Sequence, residues 1–444
     1  MSAAFWPAAI LLSLIVVAAF SLPIAAQDAE ISIEPVATSV VVEDIFVAQP
    51  PKPKAKPAAP APAKKAPAAD AKKPPRGASE PPAGIPPQPE PPRTDLVPDL
   101  GLLAFRTPSL RLASVPNMLG DFFNQAGQIQ ATDNLTTASD LALAGGGYRL
   151  KVAENNKALP MNRCYFMYNH FHNALEADTN IAAPGSEFSS HVDRYTIGLE
   201  RTFRDDLWSV DLRIPFAASQ QFNSGGLAIE GGSVGNLQVT LKRLLALGDY
   251  GAVAAGLAID APTGSDVTGQ FTTTSFTMHN QAVHLAPYIG FLRAADDRLF
   301  CQGFLQLDVP MNGNQVDYTD TVSPPGTFGT FTEQTLLYAD ISAGYWLCRN
   351  PYANVITGLA SILEFHYTTT LSDADVVAGS VATLPQTYQF GNLLGHVDVT
   401  NVTVGLHSEW FGNTTLRVAG VFPLHNNIER PFDAEVVVSL NLYH

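Results

Sequence analysis

From residue 141 to the C-terminus the chain repeats one pattern, in which segments of roughly ten to twelve residues alternate apolar and polar side chains between polar or glycine-containing loops. Period-two alternation sends successive side chains to opposite faces of an extended strand, a spacing that an amphipathic helix cannot use. The last segment shows it plainly: Ala434, Val436, Val438, Leu440 and Leu442 share one face, and Glu435, Ser439 and Asn441 the other. Trp208, Val210, Leu212, Ile214 and Phe216 likewise oppose Ser209, Asp211 and Arg213, while Tyr195, Ile197 and Leu199 oppose Arg194, Glu200 and Arg204. Leu237, Val239 and Leu241 stand against Gln238, Thr240 and Lys242; Leu337, Ile341 and Tyr345 against Tyr338, Asp340 and Trp346. Leu359, Leu363, Phe365 and Tyr367 oppose Gly358, Glu364 and His366, and Val402, Val404 and Leu406 face away from Asn401, Thr403 and His407.

Thirteen segments carry the pattern: 141–152, 161–172, 193–204, 207–218, 236–245, 251–262, 284–294, 299–310, 335–347, 356–368, 400–410, 414–423 and 434–443. A closed bacterial barrel usually has an even number of strands, so one segment is miscounted, and twelve or fourteen are expected. The fold class is therefore all-β, an antiparallel transmembrane β-barrel. Tilted strands need about 9–11 residues to cross a bilayer, longer than most soluble strands. Lipid tolerates such strands only when closure pairs every edge, with apolar side chains outward and polar ones in the lumen. A soluble exported β-sandwich alternates as well and stands as the competing architecture.

Only 15% of residues are Asp, Glu, Lys or Arg, and 41 acids against 26 bases give a net charge of −15. That balance excludes nucleic acid as a partner, because phosphate binding needs a basic footprint. Cys164, Cys301 and Cys348 cannot all pair within the chain and match no structural zinc spacing, which excludes a disulfide-rich scaffold while leaving one bridge open.

The N-terminal region divides by composition. Residues 3–24 are nearly all apolar, and Pro23-Ile24-Ala25-Ala26 suits cleavage after Ala26, making 1–26 an export signal. No Lys or Arg precedes Lys52, so a retained membrane anchor is the alternative. A short acidic segment fills 27–49. Residues 50–93, with their clustered prolines and alanines, seven lysines and two arginines, read as an extended, solvated linker. Its positive charge could contact cell-wall polymer or lipid, or be carried by a plain spacer. Residues 94–135 suggest short helices or coil, a candidate plug, with the barrel domain at 136–444.

The stretch Gly235-Asn236-Leu237-Gln238-Val239-Thr240-Leu241-Lys242-Arg243-Leu244, followed by Gly251 to Asp260 and Ala261-Pro262-Thr263-Gly264, reads as strand, turn, strand and loop opening. Together with the export signal and a strand at the chain terminus, it resembles the Gram-negative outer-membrane β-barrel superfamily. Within that superfamily it is similar to the barrels of phenol-degradation gene clusters and, more distantly, to the fatty-acid and hydrocarbon channels. The resemblance covers roughly residues 135–444 and implies a cell outer membrane location. The chain departs from the pattern in ending Leu442-Tyr443-His444 rather than in Phe, and in its long proline-rich linker.

Loop lengths orient the strands. Arg204-Asp205-Asp206, Gly248-Asp249-Tyr250 and Ala295-Asp296-Asp297 are expected as periplasmic turns, and 173–190, 219–235, 262–282, 311–334 and 370–398 as external loops. Phe and Tyr near strand ends suit interfacial girdles.

Chemical motifs are sparse. His170 and His172 share a strand face but have no diagnostic ligand spacing around them, and Glu364 and His366 have no Ser or Cys nucleophile beside them. Ser233 in Gly231-Gly232-Ser233-Val234-Gly235 is not a nucleophile elbow, and Gly145-Gly146-Gly147 lacks the strand-to-helix setting of a phosphate loop. No enzyme activity, cofactor or metal is expected. The reading is passive passage of small solutes through an outer-membrane barrel in contact with lipid. Arg194, Glu200, Arg204, Asp211, Arg213, Lys242, Asp340 and Glu364 are the lumen and selectivity candidates. A non-conducting envelope anchor and a soluble exported binding domain are the alternatives. All lumen assignments depend on register, since a one-residue slip would exchange the two faces.

Overall fold

The computed structural model describes residues 110–121, 127–131, 136–141, 149–178, 187–218, 221–224, 227–231, 234–271, 273–381, 387–391, 396–425 and 430–444. The expected export signal, acidic segment and linker lie outside the described residues. Among the described residues, apart from one helical turn, Leu110–Ala113, the regular structure is β.

Two strands, β1 (Gly127–Ala131) and β2 (Thr136–Leu141), precede the barrel. Next come β3 (Arg163–Asp178), β4 (Glu187–Phe203), β5 (Trp208–Ala218), β6 (Gln221–Ser224) and β7 (Leu227–Glu230). They are followed by β8 (Leu237–Leu247), β9 (Gly251–Ala261), β10 (Val267–Phe271), β11 (Thr274–Met278) and β12 (His284–Ala294). After these lie β13 (Leu299–Pro310), β14 (Asn314–Asp320), β15 (Gly326–Phe331), β16 (Thr335–Arg349) and β17 (Ile356–Ser372). The chain ends with β18 (Val376–Ser380), β19 (Thr387–Gly391), β20 (Asp398–Trp410), β21 (Thr414–Pro423) and β22 (Ala434–Tyr443).

Twelve of these form a closed antiparallel barrel in the order β3, β4, β5, β8, β9, β12, β13, β16, β17, β20, β21, β22. Pairing of β22 with β3, from Ala434 opposite His172 to Tyr443 opposite Arg163, seals the ring. Closure leaves no unpaired strand edge to lipid, and each barrel strand has at least ten residues. The wall alternates as the sequence does. Ile197, Ile214, Ile289, Leu305, Ile341, Phe365 and Leu440 are exposed on the outside, while Arg194, Arg213, Gln302, Asp340, Glu364 and Ser439 are buried inside. An apolar exterior around a charged interior inverts the soluble pattern and matches a lipid-spanning barrel. The soluble β-sandwich is thereby set aside.

Twelve of the thirteen sequence segments correspond to barrel strands, and segment 141–152 is the surplus one. Strand β2 ends at Leu141 and pairs with the outer end of β3, through Thr137 opposite Asp178. Residues 149–152 enter the barrel interior, where Arg149, Leu150, Lys151 and Val152 are all buried. The alternation of bases and apolar residues there mimics a wall strand, but both faces are covered by the wall.

The short connections, at 204–207, 248–250, 295–298, 350–355 and 411–413, lie at one end, and the long ones at the other. At the short-turn end Phe203 stacks on Trp208 with ring centroids 6.2 Å apart, Arg243 lies over Trp208, and Tyr250, Tyr352 and Phe411 are exposed. Aromatic rings at this level suit a membrane interface. At the long-loop end, hairpins form a six-stranded sheet, β15-β14-β11-β10-β7-β6, and β18-β19-β1-β2 continues from β3. Apolar faces of the two sheets meet in a core of Val267, Phe276, Met278, Val316, Val377, Tyr388 and Phe390. Within it Phe276 and Phe390 pack edge to face at 5.1 Å.

Candidate lumen site

Two stretches without strand structure, 110–121 and 149–162, occupy the space enclosed by the wall. Their apolar side chains Leu112, Val115, Leu119, Ala158 and Leu159 join the wall residues Phe171, Val192, Ala217 and Ile362 in one buried cluster. Polar contacts then fix their position.

Glu364 of β17 holds the first stretch. The Leu119 and Gly120 amides donate to its Oε1 and Oε2 at 2.9 and 2.7 Å. Gly120 adopts φ +80°, and a Cβ there would lie 2.6 Å from the Glu154 Cα, so both conformation and space demand glycine. Arg417 of β21 donates to the Asn117 and Met118 carbonyls, and Gln302 of β13 to the Pro116 carbonyl. Lys157 of the second stretch donates to the Ala113 and Val115 carbonyls, joining the two stretches.

Charge divides the wall into two arcs. Arg163, Arg194, Arg213 and Lys242 lie on the adjacent strands β3, β4, β5 and β8, accompanied by Glu200 and Asp211. Arg163 Nε donates to Glu200 Oε2 at 2.9 Å, Lys242 Nζ to Glu200 Oε1 at 2.9 Å, and Arg213 Nε to Asp211 Oδ2 at 3.0 Å. Across the ring, β13, β16 and β17 carry Asp308, Asp340 and Glu364, with His366 Nδ1 2.8 Å from Asp340 Oδ1.

The enclosed chain complements both arcs. Its Glu154 Oε2 accepts from Arg194 Nη2 at 2.8 Å. Its Lys151 Nζ lies 3.7 Å from Asp340 Oδ1 and donates to Asp121 Oδ1 at 2.7 Å, while Arg149 lies 3.6 Å from Asp308. Fully buried charges are tolerated only when paired in this manner.

Of the sequence candidates, Arg194, Glu200, Asp211, Arg213, Lys242, Asp340 and Glu364 are buried inside the barrel. Arg204 is not: β4 ends at Phe203, and Arg204, exposed with φ 52°, opens the turn to β5. Its even-numbered phase matched Arg194 and Glu200, but strand parity has no meaning beyond the last paired residue. Arg163, Asp308 and Arg417 were legible in principle, because each shares the inward phase of its strand. Asp121, Lys151 and Glu154 were not, since nothing in their local pattern shows that they meet a wall far away in sequence.

No family model and no curated protein matches the chain. Among solved structures, an outer membrane channel from Pseudomonas putida F1 aligns at 11% identity and TM-score 0.44, covering 65% of this chain and 97% of that one. The β domain of the Bordetella autotransporter BrkA aligns at 10% identity and TM-score 0.40, over 64% and 100%. The Pseudomonas putida toluene transporter TodX aligns at 7% identity and TM-score 0.32, over 68% and 96%.

Proposed function

We propose that the protein is an outer-membrane channel for small solutes, in which the enclosed stretches 110–121 and 149–162 act as a plug that must shift before solute passes. The observation that carries this reading is the charged, two-sided lumen wall. A barrel built only as an anchor could fill its interior with apolar side chains, which are commonly as stabilising as buried ion pairs or more so. Opposed basic and acidic arcs instead suit a polar path, orienting dipolar or charged solutes across the pore once the plug withdraws. Arg194, Arg213, Asp340 and Glu364 would then set selectivity.

The test is solute uptake by proteoliposomes of the full chain, with reversal potentials measured alongside. Uptake of small sugars and ions, with selectivity shifted toward cations in Arg213→Ala, supports the reading. A correctly folded, heat-modifiable barrel that passes neither solute nor ions would favour the envelope anchor. Contact of the basic 50–93 segment with wall polymer belongs to the same proposal, and co-sedimentation with purified cell wall tests it.

A further inference from the structure

We infer that the outer wall carries a transition-metal site built from His170, His172 and His191. This inference is independent of how the lumen works. The sequence shows only the first two, on one strand; antiparallel pairing of β3 with β4 supplies the third. Phe171 pairs with Val192, and a bulge between Phe171 and Leu175 follows immediately. The His172 and His191 rings stack with centroids 4.5 Å apart, and His170 lies 5.6 Å from His191. One ring nitrogen from each can be chosen so that all three lie within 4.8 Å of one another. Tetrahedral zinc with Zn–N bonds of about 2.0–2.1 Å needs nitrogens about 3.4 Å apart. Small rotations of these half-buried to exposed rings would close that gap.

The surroundings prepare His170. Asp193 Oδ1 lies 2.8 Å from His170 Nδ1 and also accepts from the Tyr168 hydroxyl at 2.7 Å. A carboxylate at Nδ1 fixes the tautomer that leaves Nε2 with its lone pair outward, an arrangement typical of metal-binding histidines. His191 Nδ1 accepts from the Asn173 amide at 3.3 Å, which places the ring hydrogen on Nε2, so metal binding through Nε2 exchanges the tautomer at the expense of that one long bond. Asn173 takes φ 52° in the bulge, so the backbone irregularity itself places that donor. Imidazole donors select zinc, nickel or copper over calcium or magnesium, which prefer oxygen. The site lies on the wall toward the long-loop end, beyond the lipid-facing Phe166, Tyr168 and Tyr195 cluster. A bound ion would pin the outer ends of β3 and β4 together.

The experiment is zinc titration of the folded full chain, purified without a histidine tag, by competition with a chromophoric chelator. One equivalent should bind with at least tenfold preference over calcium, and cobalt(II) should give the intense visible absorption of a tetrahedral nitrogen-ligated site. His172→Asn combined with His191→Asn should abolish binding, and Asp193→Asn should weaken it by about 10- to 100-fold. His396→Asn, elsewhere on the surface, should leave it unchanged. Heat-modifiable migration verifies that each variant is folded. Absence of stoichiometric zinc binding in the wild type, or equal affinity in the double variant, would overturn the inference. So would equal displacement by calcium.

Discussion

Single residues decide whether the lumen is filled. Glu364, fully buried, accepts two amides of the enclosed stretch 110–121, and hydrogen bonds to a charged group are worth about 1.5–3 kcal/mol each. Glu364→Ala should therefore loosen residues 110–121 while leaving the twelve-strand ring closed. Hydrogen exchange should show faster opening of that stretch with unchanged protection of β17. Gly120→Ala should act similarly through the backbone, since a left-handed alanine costs about 1–2 kcal/mol before the contact with Glu154 is counted. Limited proteolysis near residue 120 is the direct readout, and wild-type resistance in the alanine variant would show that the plug is held by other contacts.

At the scale of elements, the sheets at the long-loop end have their own latch. His279, between β11 and β12, has Nδ1 3.0 Å from Asp266 Oδ2 and Nε2 3.0 Å from Asp317 Oδ2. Partial burial opposes its charge, but hydrogen bonds with Asp266 and Asp317 outweigh that cost and raise its pKa above the usual imidazole value. A raised folded-state value means that the contribution is fully present below the ordinary imidazole range and is lost as pH rises through the raised one. Exchange protection of the β10–β11 hairpin should fall over that window, and His279→Gln should remove the dependence. In the neighbouring core, Phe276→Ala should cost about 3–5 kcal/mol of local stability. Chemical denaturation followed by a probe in the hairpin measures it.

These two features also show what alternation can and cannot reveal. Ile197, Ile214 and Ile341 announced a lipid face because every second position repeats it along a long strand. The latch was invisible because Asp266 and His279 lie in the connection between β9 and β12 and Asp317 in β14 of the next one, and no local pattern encodes their pairing. Segment 141–152 misled for the converse reason: Arg149 and Lys151 alternate with Leu150 and Val152, yet they answer acids on Asp308 and Asp340 across the lumen rather than a lipid face. The same limit applied to His191, which reaches His172 only through the β3–β4 register.

At the scale of the whole molecule, the proposed function requires a ring with an apolar exterior, opposed charged arcs and a complementary filling to act as a gated pore rather than an open one. Arg213→Ala and Asp340→Ala, on opposite arcs, should shift ion selectivity in opposite directions, toward cations and toward anions respectively. Reversal potentials in a salt gradient measure both. The most direct measurement is single-channel recording in planar bilayers of the full-length wild type beside Glu364→Ala. The wild type should remain mostly closed with brief discrete openings, and the variant should open at least several-fold more often at unchanged unit conductance. Steady, identical currents in the two would show that the filling does not gate the pore, and silence in both, with the barrel folded, would contradict a channel altogether.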